Sequence, residues 1–200
     1  MNESVTFSTV DAAIATVRLM TTRQNTLPRR LVAPGPSVEQ IHTLFLAAAS
    51  APDHGRVVPW RFVVIPEKRR ALLAQAFAQA LMDRDENATS LQLAQAREKA
   101  FRAPFLTLVV ARLGPCEPYV DPVERMVSVG AAVQNMLLTA HSMGFGCSLT
   151  SGQALLSTSV GTLFNLTLEE RAVCFVNVGT VTQAKPPRLH PNVASFVSSL

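Results

Sequence analysis

The chain has 200 residues, 48% of them hydrophobic and 16% charged, with a formal net charge of +4 and a mean hydropathy of +0.23. That composition is too apolar for a disordered chain, and no run approaches the roughly 18–20 apolar residues of a membrane helix. A charged fraction below the roughly 25% of an average soluble domain points to surface buried in an oligomer interface, and the length suits one domain over residues 1–200.

In chain order, Ser8 caps a helix over residues 8–21, with Asp11 near the positive end of its dipole. The N-terminus has acids before its apolar stretch and no basic leader, which suggests a cytoplasmic protein. A polar loop runs from Thr21 to Pro36. Ser37 and Gln40 then form a capping box that opens a second helix, with Ile41, Leu44, Phe45 and Ala48 at helical spacing until Pro52.

Trp60 to Ile65 is aromatic and β-branched, hence a strand, and Pro66 starts a helix that reaches about Asp83. A further helix spans about Asn87 to Phe101. Phe105 to Ala111 is apolar on both faces and reads as a central strand. The segment Asp121 to Gly144 has almost no polar side, so it is expected to be buried all round, most simply in a dimer interface. Gly144-Phe145-Gly146 ends it and Cys147-Ser148-Leu149 is a short strand. A capping-box pattern, Thr167-x-x-Glu170, precedes a strand over Ala172 to Val178, and the tail from Gln183 to Leu200 is expected to lie over a surface. Interleaved helices and strands give an α+β or α/β layered fold.

No phosphate loop, GxGxxG turn, HExxH or GxSxG motif is present. His42, His54, His141 and His190 lack metal-ligand spacing, so no metal is assigned, and Cys116, Cys147 and Cys174 read as packed thiols without a CxxC motif. An isoelectric point near 9.4 admits an anionic partner. The cations are scattered among acids without interleaved aromatics, which disfavours a nucleic-acid-binding protein. Three polar segments stand out. Thr22 to Arg30 sets guanidinium groups beside the amides of Gln24 and Asn25, a donor set suited to phosphate and to a heterocycle edge. Ala51 to Trp60 brackets His54 and Arg56 with prolines. Gly144 to Gly152, taken with Lys185 to Arg188, offers hydroxyls, close backbone approach and two cations.

Taken together, the Arg-Gln-Asn loop, APDH…PWRFVVI, FRAP before a strand, VGAAVQNMLL leading into GFG, and NVGT before a basic Pro-rich tail resemble the nitroreductase family. The likeness is to its short single-domain, YdjA-like branch and runs from about Thr22 to Arg188. It implies a mixed sheet flanked by helices in an intertwined homodimer, with FMN bound at the interface. It also implies electron transfer from NADH or NADPH through flavin N5 to a small organic acceptor by ping-pong kinetics, with no side chain singled out as catalytic. A protein that only stores or senses FMN is the other reading the resemblance allows.

By the same resemblance, Arg23, Gln24 and Asn25 match the segment that holds the FMN phosphate and ribityl chain. Ser50 and His54 match positions brought to the flavin from the neighbouring subunit. Leu149, Thr150 and Ser151 match the segment beside the isoalloxazine, and Lys185 and Arg188 stand where many members place cations on the phosphate. Three departures are visible: a short insertion around Leu27-Pro28, Leu149-Thr150 in place of Trp-Arg, and Ser50 where an Arg would stand.

Overall fold

The computed structural model describes residues 9–115, 118–183, 186 and 188–200. Ser8, Cys116 and Lys185, named above, lie outside the described residues.

The first helix, α1, spans Thr9–Thr22 with Asp11 in its first turn. Pro28–Arg30 forms a 3-10 turn leading into a two-residue strand, β1, Leu31–Val32, inside what the sequence suggested was loop alone. The second helix, α2, covers Val38–Ala49 with the capping box complete: the Gln40 amide donates to Ser37 Oγ while the Ser37 amide donates to the Gln40 side chain. Strand β2 is Trp60–Val64. Pro66 does not begin the next helix. It precedes a 3-10 turn, Glu67–Arg69, and α3 follows over Arg70–Met82. Helix α4 is Ser90–Glu98, shorter than expected because a second capping box, Thr89 with Gln92, sets its start.

Strand β3, Phe105–Arg112, is buried along all but its last residue, as a central strand should be. Helix α5 is Pro122–Ser142, capped by the Asp121 carboxylate, which accepts from the Val123 amide. Gly144, at φ +84°, supplies the left-handed turn that ends it, its amide bonded back to His141 O at 2.9 Å. Strand β4 is Gly146–Thr150, α6 is Thr158–Leu163, and β5 is Glu170–Val181, longer at both ends than expected. No helix follows the Thr167-x-x-Glu170 pattern. The Thr167 amide does donate to Glu170, but the same carboxylate takes two hydrogen bonds from Arg61, at 2.9 and 2.7 Å, and the chain enters β5.

The five strands order as β1-β5-β3-β2, with β4 beside β5, and these pairings are antiparallel. A parallel direction enters through the isolated bridge of Asn25 with Cys147. Alternation along the strands builds two cores. Phe105, Val109, Val176 and Val178 face α2 and α5 with Leu44, Val129 and Met136, while Leu106, Leu108, Val110 and Phe175 face α3 and α6 with Leu73 and Val160. The result is an α+β layered fold.

Helix α5 is not buried all round within one chain: Val123 and Val127 are 72% and 69% exposed, because α2 and the sheet cover only its other side. The start of the tail bonds its own chain through Pro186 and His190, whereas its end is left uncovered. Residues 191–200 are exposed throughout, with Phe196 and Val197 among the large apolar groups open to solvent.

Candidate functional site

The end of α1 delivers the Arg-Gln-Asn loop to the start of β4. The Thr26 amide donates to Cys147 O at 2.9 Å and Asn25 bridges Cys147 in parallel register, so the loop behaves as a short extra strand. The close approach needs Gly146. A Cβ there would collide with the Val181 side chain and press on Leu31 and Thr26 Oγ1. Gln24 Nε2 donates to Pro186 O at 3.0 Å and His190 Nε2 lies 3.1 Å from Thr21 O, which brings the tail segment that carries Arg188 to the same loop.

Arg23, the first residue of this loop, lies near the C-terminal end of α5, where it acts on His141. Its Nε is buried and has no hydrogen-bond partner. Its charge is felt on both neighbours. Burial, with Arg23 adding to it, holds the His141 pKa below the usual imidazole value. Burial pushes the Cys147 thiol up to about 11, with the charge of Arg23 and a hydrogen bond from its side chain opposing part of that rise, so that Nε alone of the guanidinium is left unpartnered and buried. The His141 ring also bonds Thr22 Oγ1 at 3.0 Å, fixing the end of α1 on α5.

Ser50 and His54 lie elsewhere. Ser50 ends α2, where Asn135 Nδ2 from the middle of α5 donates to Ala47 O and Ser50 Oγ. His54 Nδ1 is 2.6 Å from Glu124 Oε2 in the first turn of α5. Glu124 and His141 are separated by about 25 Å at 1.5 Å per helical residue, so one chain holds His54 and Arg23 at opposite ends of α5. The Ala51–Trp60 loop is held by Asp53, whose carboxylate accepts from the Val57 and Val58 amides at 3.2 and 2.9 Å. That clamp maintains Arg56 and Val58 at φ +53° and +46°.

At the far end of β4 a cleft of about 470 Å³ opens. Leu27 and Pro28 line one side and Thr150, Ser151, Gly152 and Gln153 another, with Phe77, Leu81 and Phe175 as apolar wall and Arg84, Lys99 and Arg102 also reaching it. Thr150 Oγ1 accepts from Asn177 Nδ2 at 3.0 Å, so its hydroxyl is oriented from the sheet. Leu149 is 43% exposed and turns away from this floor, since residues alternate along a strand.

A family model described as "Nitroreductase family" matches residues 28–180. A Haemophilus influenzae protein named "Putative NAD(P)H nitroreductase" is 32% identical over 162 residues, 81% of this chain and 86% of its own length. "Putative NAD(P)H nitroreductase YdjA" of Escherichia coli K12 is 32% identical over 76% of this chain and 81% of its own. The chain belongs to the nitroreductase family. Among solved structures, a nitroreductase-like family protein of Bacillus cereus superposes with a TM-score of 0.79 at 17% identity, covering 98% of each chain. A Desulfitobacterium hafniense nitroreductase with bound FMN gives 0.65 at 20% identity, covering 92% of this chain and 97% of its own. The fold is nitroreductase-like, and the protein is an oxidoreductase of the nitroreductase type.

Within this nitroreductase, the structure brings Arg23, Gln24, Asn25 and the Arg188 segment to one end of β4 and Thr150 and Ser151 to the other. It leaves Ser50 and His54 of the same chain apart. Sequence reasoning missed Thr26, Asp53, Asn177 and the cleft cations. Asp53 was legible as the Asp of APDH ahead of two backbone donors, whereas Arg84, Lys99 and Arg102 come together only through the packing of α3 on α4.

Proposed function

We propose that the chain is an FMN-dependent oxidoreductase that passes electrons from NADH or NADPH to a small organic acceptor, a nitroaromatic, quinone or similar, in ping-pong order. It works as a homodimer, each chain one FMN-binding domain. The observation that carries the reading is Arg23: a guanidinium with a buried, unpartnered Nε and no ion pair among the described residues. A buried donor left unpaired is costly, and a phosphate ester matches its fork. Support for the cofactor and donor comes from family membership, from NAD(P)H in the names of relatives, and from the FMN bound in the Desulfitobacterium neighbour.

The residues present fit the group. Arg23, with Arg188 and Lys185, would hold the phosphate, Gln24 and Asn25 the polar chain, and Thr150 and Ser151 the ring, with Leu149 on the other face of β4. Bound FMN supplies two-electron transfer between donor and acceptor. The protein's part is electrostatic and steric. Oriented donors stand ready for negative charge, Phe77, Leu81 and Phe175 keep water from the cleft, and the nicotinamide leaves before the acceptor enters.

Dimerisation is supported by apolar surface with no cover in the chain. Val10, Ile14 and Val17 on α1 are 60% exposed or more, as are Val123 and Val127 on α5. It would also account for the placement of His54 and Ser50, which a second copy could bring to the site that Arg23 marks. The unpaired, buried thiols of Cys147 and Cys174 suit the reducing cytoplasm.

Steady-state kinetics with NADPH and a nitroaromatic test this reading. Parallel double-reciprocal lines are expected, and intersecting lines, or no turnover of either nicotinamide by FMN-loaded protein, would contradict it.

A further inference from the structure

The 470 Å³ cleft has an uneven charge distribution. Three cations, Arg84, Lys99 and Arg102, reach it, and no carboxylate is among its described lining residues. Only Arg102 is matched, by Glu98 at 3.4 Å. Arg84 and Lys99 form no ion pair among the described residues, although the chain as a whole exceeds neutrality by only +4. Phe77, Leu81 and Phe175 line the same cleft, as do Thr150 and Asn177, whose side chains are bonded to each other. A cleft walled by apolar surface focuses the field of cations that share it, and its volume suits a small aromatic molecule.

We propose that this cleft takes a planar organic anion, an aromatic ligand carrying a carboxylate or phosphate, and that Arg84 and Lys99 select for that charge. The inference rests on the reading of Thr150 and Ser151 as neighbours of the flavin ring, and it concerns binding alone. The aromatic plane would lie against Phe77 and Phe175, with its anionic group at the cations. The same chemistry could reside on the electron acceptor or on the 2′-phosphate of NADPH, and the measurements separate the two.

The test uses FMN-loaded protein and two matched pairs: 4-nitrobenzoate against 4-nitrobenzamide, and NADPH against NADH. Calorimetric affinities for the nitro pair and KM values for both pairs would be compared between the unaltered protein and an Arg84→Ala/Lys99→Ala double variant. Both residues are exposed, so the fold should tolerate the change. A preference for the charged member of one pair, falling about fivefold or more in the double variant and recovered in Arg84→Lys/Lys99→Arg, supports the proposal and names which ligand carries the anion. Equal ratios in the unaltered and variant proteins for both pairs overturn it. So does a double variant whose FMN affinity falls while both ratios hold, because the cations would then serve the cofactor. Failure of the unaltered protein to take up FMN would instead defeat the underlying reading.

Discussion

Thr26 and Cys147 are joined by one backbone hydrogen bond, Thr26 N to Cys147 O at 2.9 Å, and that bond registers the whole Arg-Gln-Asn loop against β4. Arg23 is thereby held beside the C-terminal end of α5 with its Nε buried and unpartnered.

If the guanidinium meets the FMN phosphate, Arg23→Ala removes a charge-assisted contact of about 1.5–3 kcal/mol, roughly a 10- to 150-fold loss of affinity. Arg23→Lys should recover only part of it, since a point charge cannot replace the bidentate fork. Titration of apo-protein followed by flavin fluorescence checks both, and an unchanged dissociation constant in Arg23→Ala would remove Arg23 from the site.

The Arg61–Glu170 pair makes a stability prediction. Arg61 holds the Glu170 carboxyl below its ordinary value against the opposing effect of burial, with Arg112 adding to it from 3.7 Å. A carboxyl with a lowered folded pKa contributes stability that is present above its unfolded pKa and lost as pH falls through the folded one. Glu170→Gln should therefore cost about 1.5–3 kcal/mol near neutral pH, with the gap to the unaltered protein closing in acid. Denaturant melts across the acid range would show it, and a gap constant with pH would count against the pair.

These residues also show how far the sequence could be read. Ser37-x-x-Gln40 and Thr167-x-x-Glu170 are the same local pattern, but only the first caps a helix. Glu170 is taken by Arg61, 109 residues away, and no local rule sees that partner. Strand positions, the central place of β3 and the helical segments followed from periodicity. The exposed side of α5 did not, because an apolar pattern states that surface must be covered without stating by which chain. The site behaved likewise: the loop and tail stood out in the sequence by their guanidinium and amide groups, whereas the cations of the cleft gather only through tertiary packing.

Cys147 and Cys174 should be inert in the native protein. Burial pushes both thiols up to about 11, and the thiolate is the reactive form. In a Cys116→Ser background, a disulfide reagent at pH 8 should label neither until denaturant is added. Rapid labelling of the folded protein would show that the packing around β4 opens.

The apolar stripe of α1 predicts obligate association. Ile14→Asp/Val17→Asp places charge on a surface that a second copy should cover, so sedimentation should report a shift from dimer to monomer. FMN affinity should fall with it, since His54 and Ser50 would no longer reach the site. A variant that stays dimeric with full flavin affinity would place the interface elsewhere.

The central claim, that this chain binds FMN and reduces it with a nicotinamide, is tested most directly by one visible absorption experiment. The protein is incubated with FMN, freed of excess by gel filtration, and its spectrum recorded before and after anaerobic NADPH or NADH. The account predicts about one FMN per chain and loss of the oxidised flavin band with at least one of the two nucleotides. A protein that retains no flavin, or whose flavin band neither nucleotide bleaches, would contradict it.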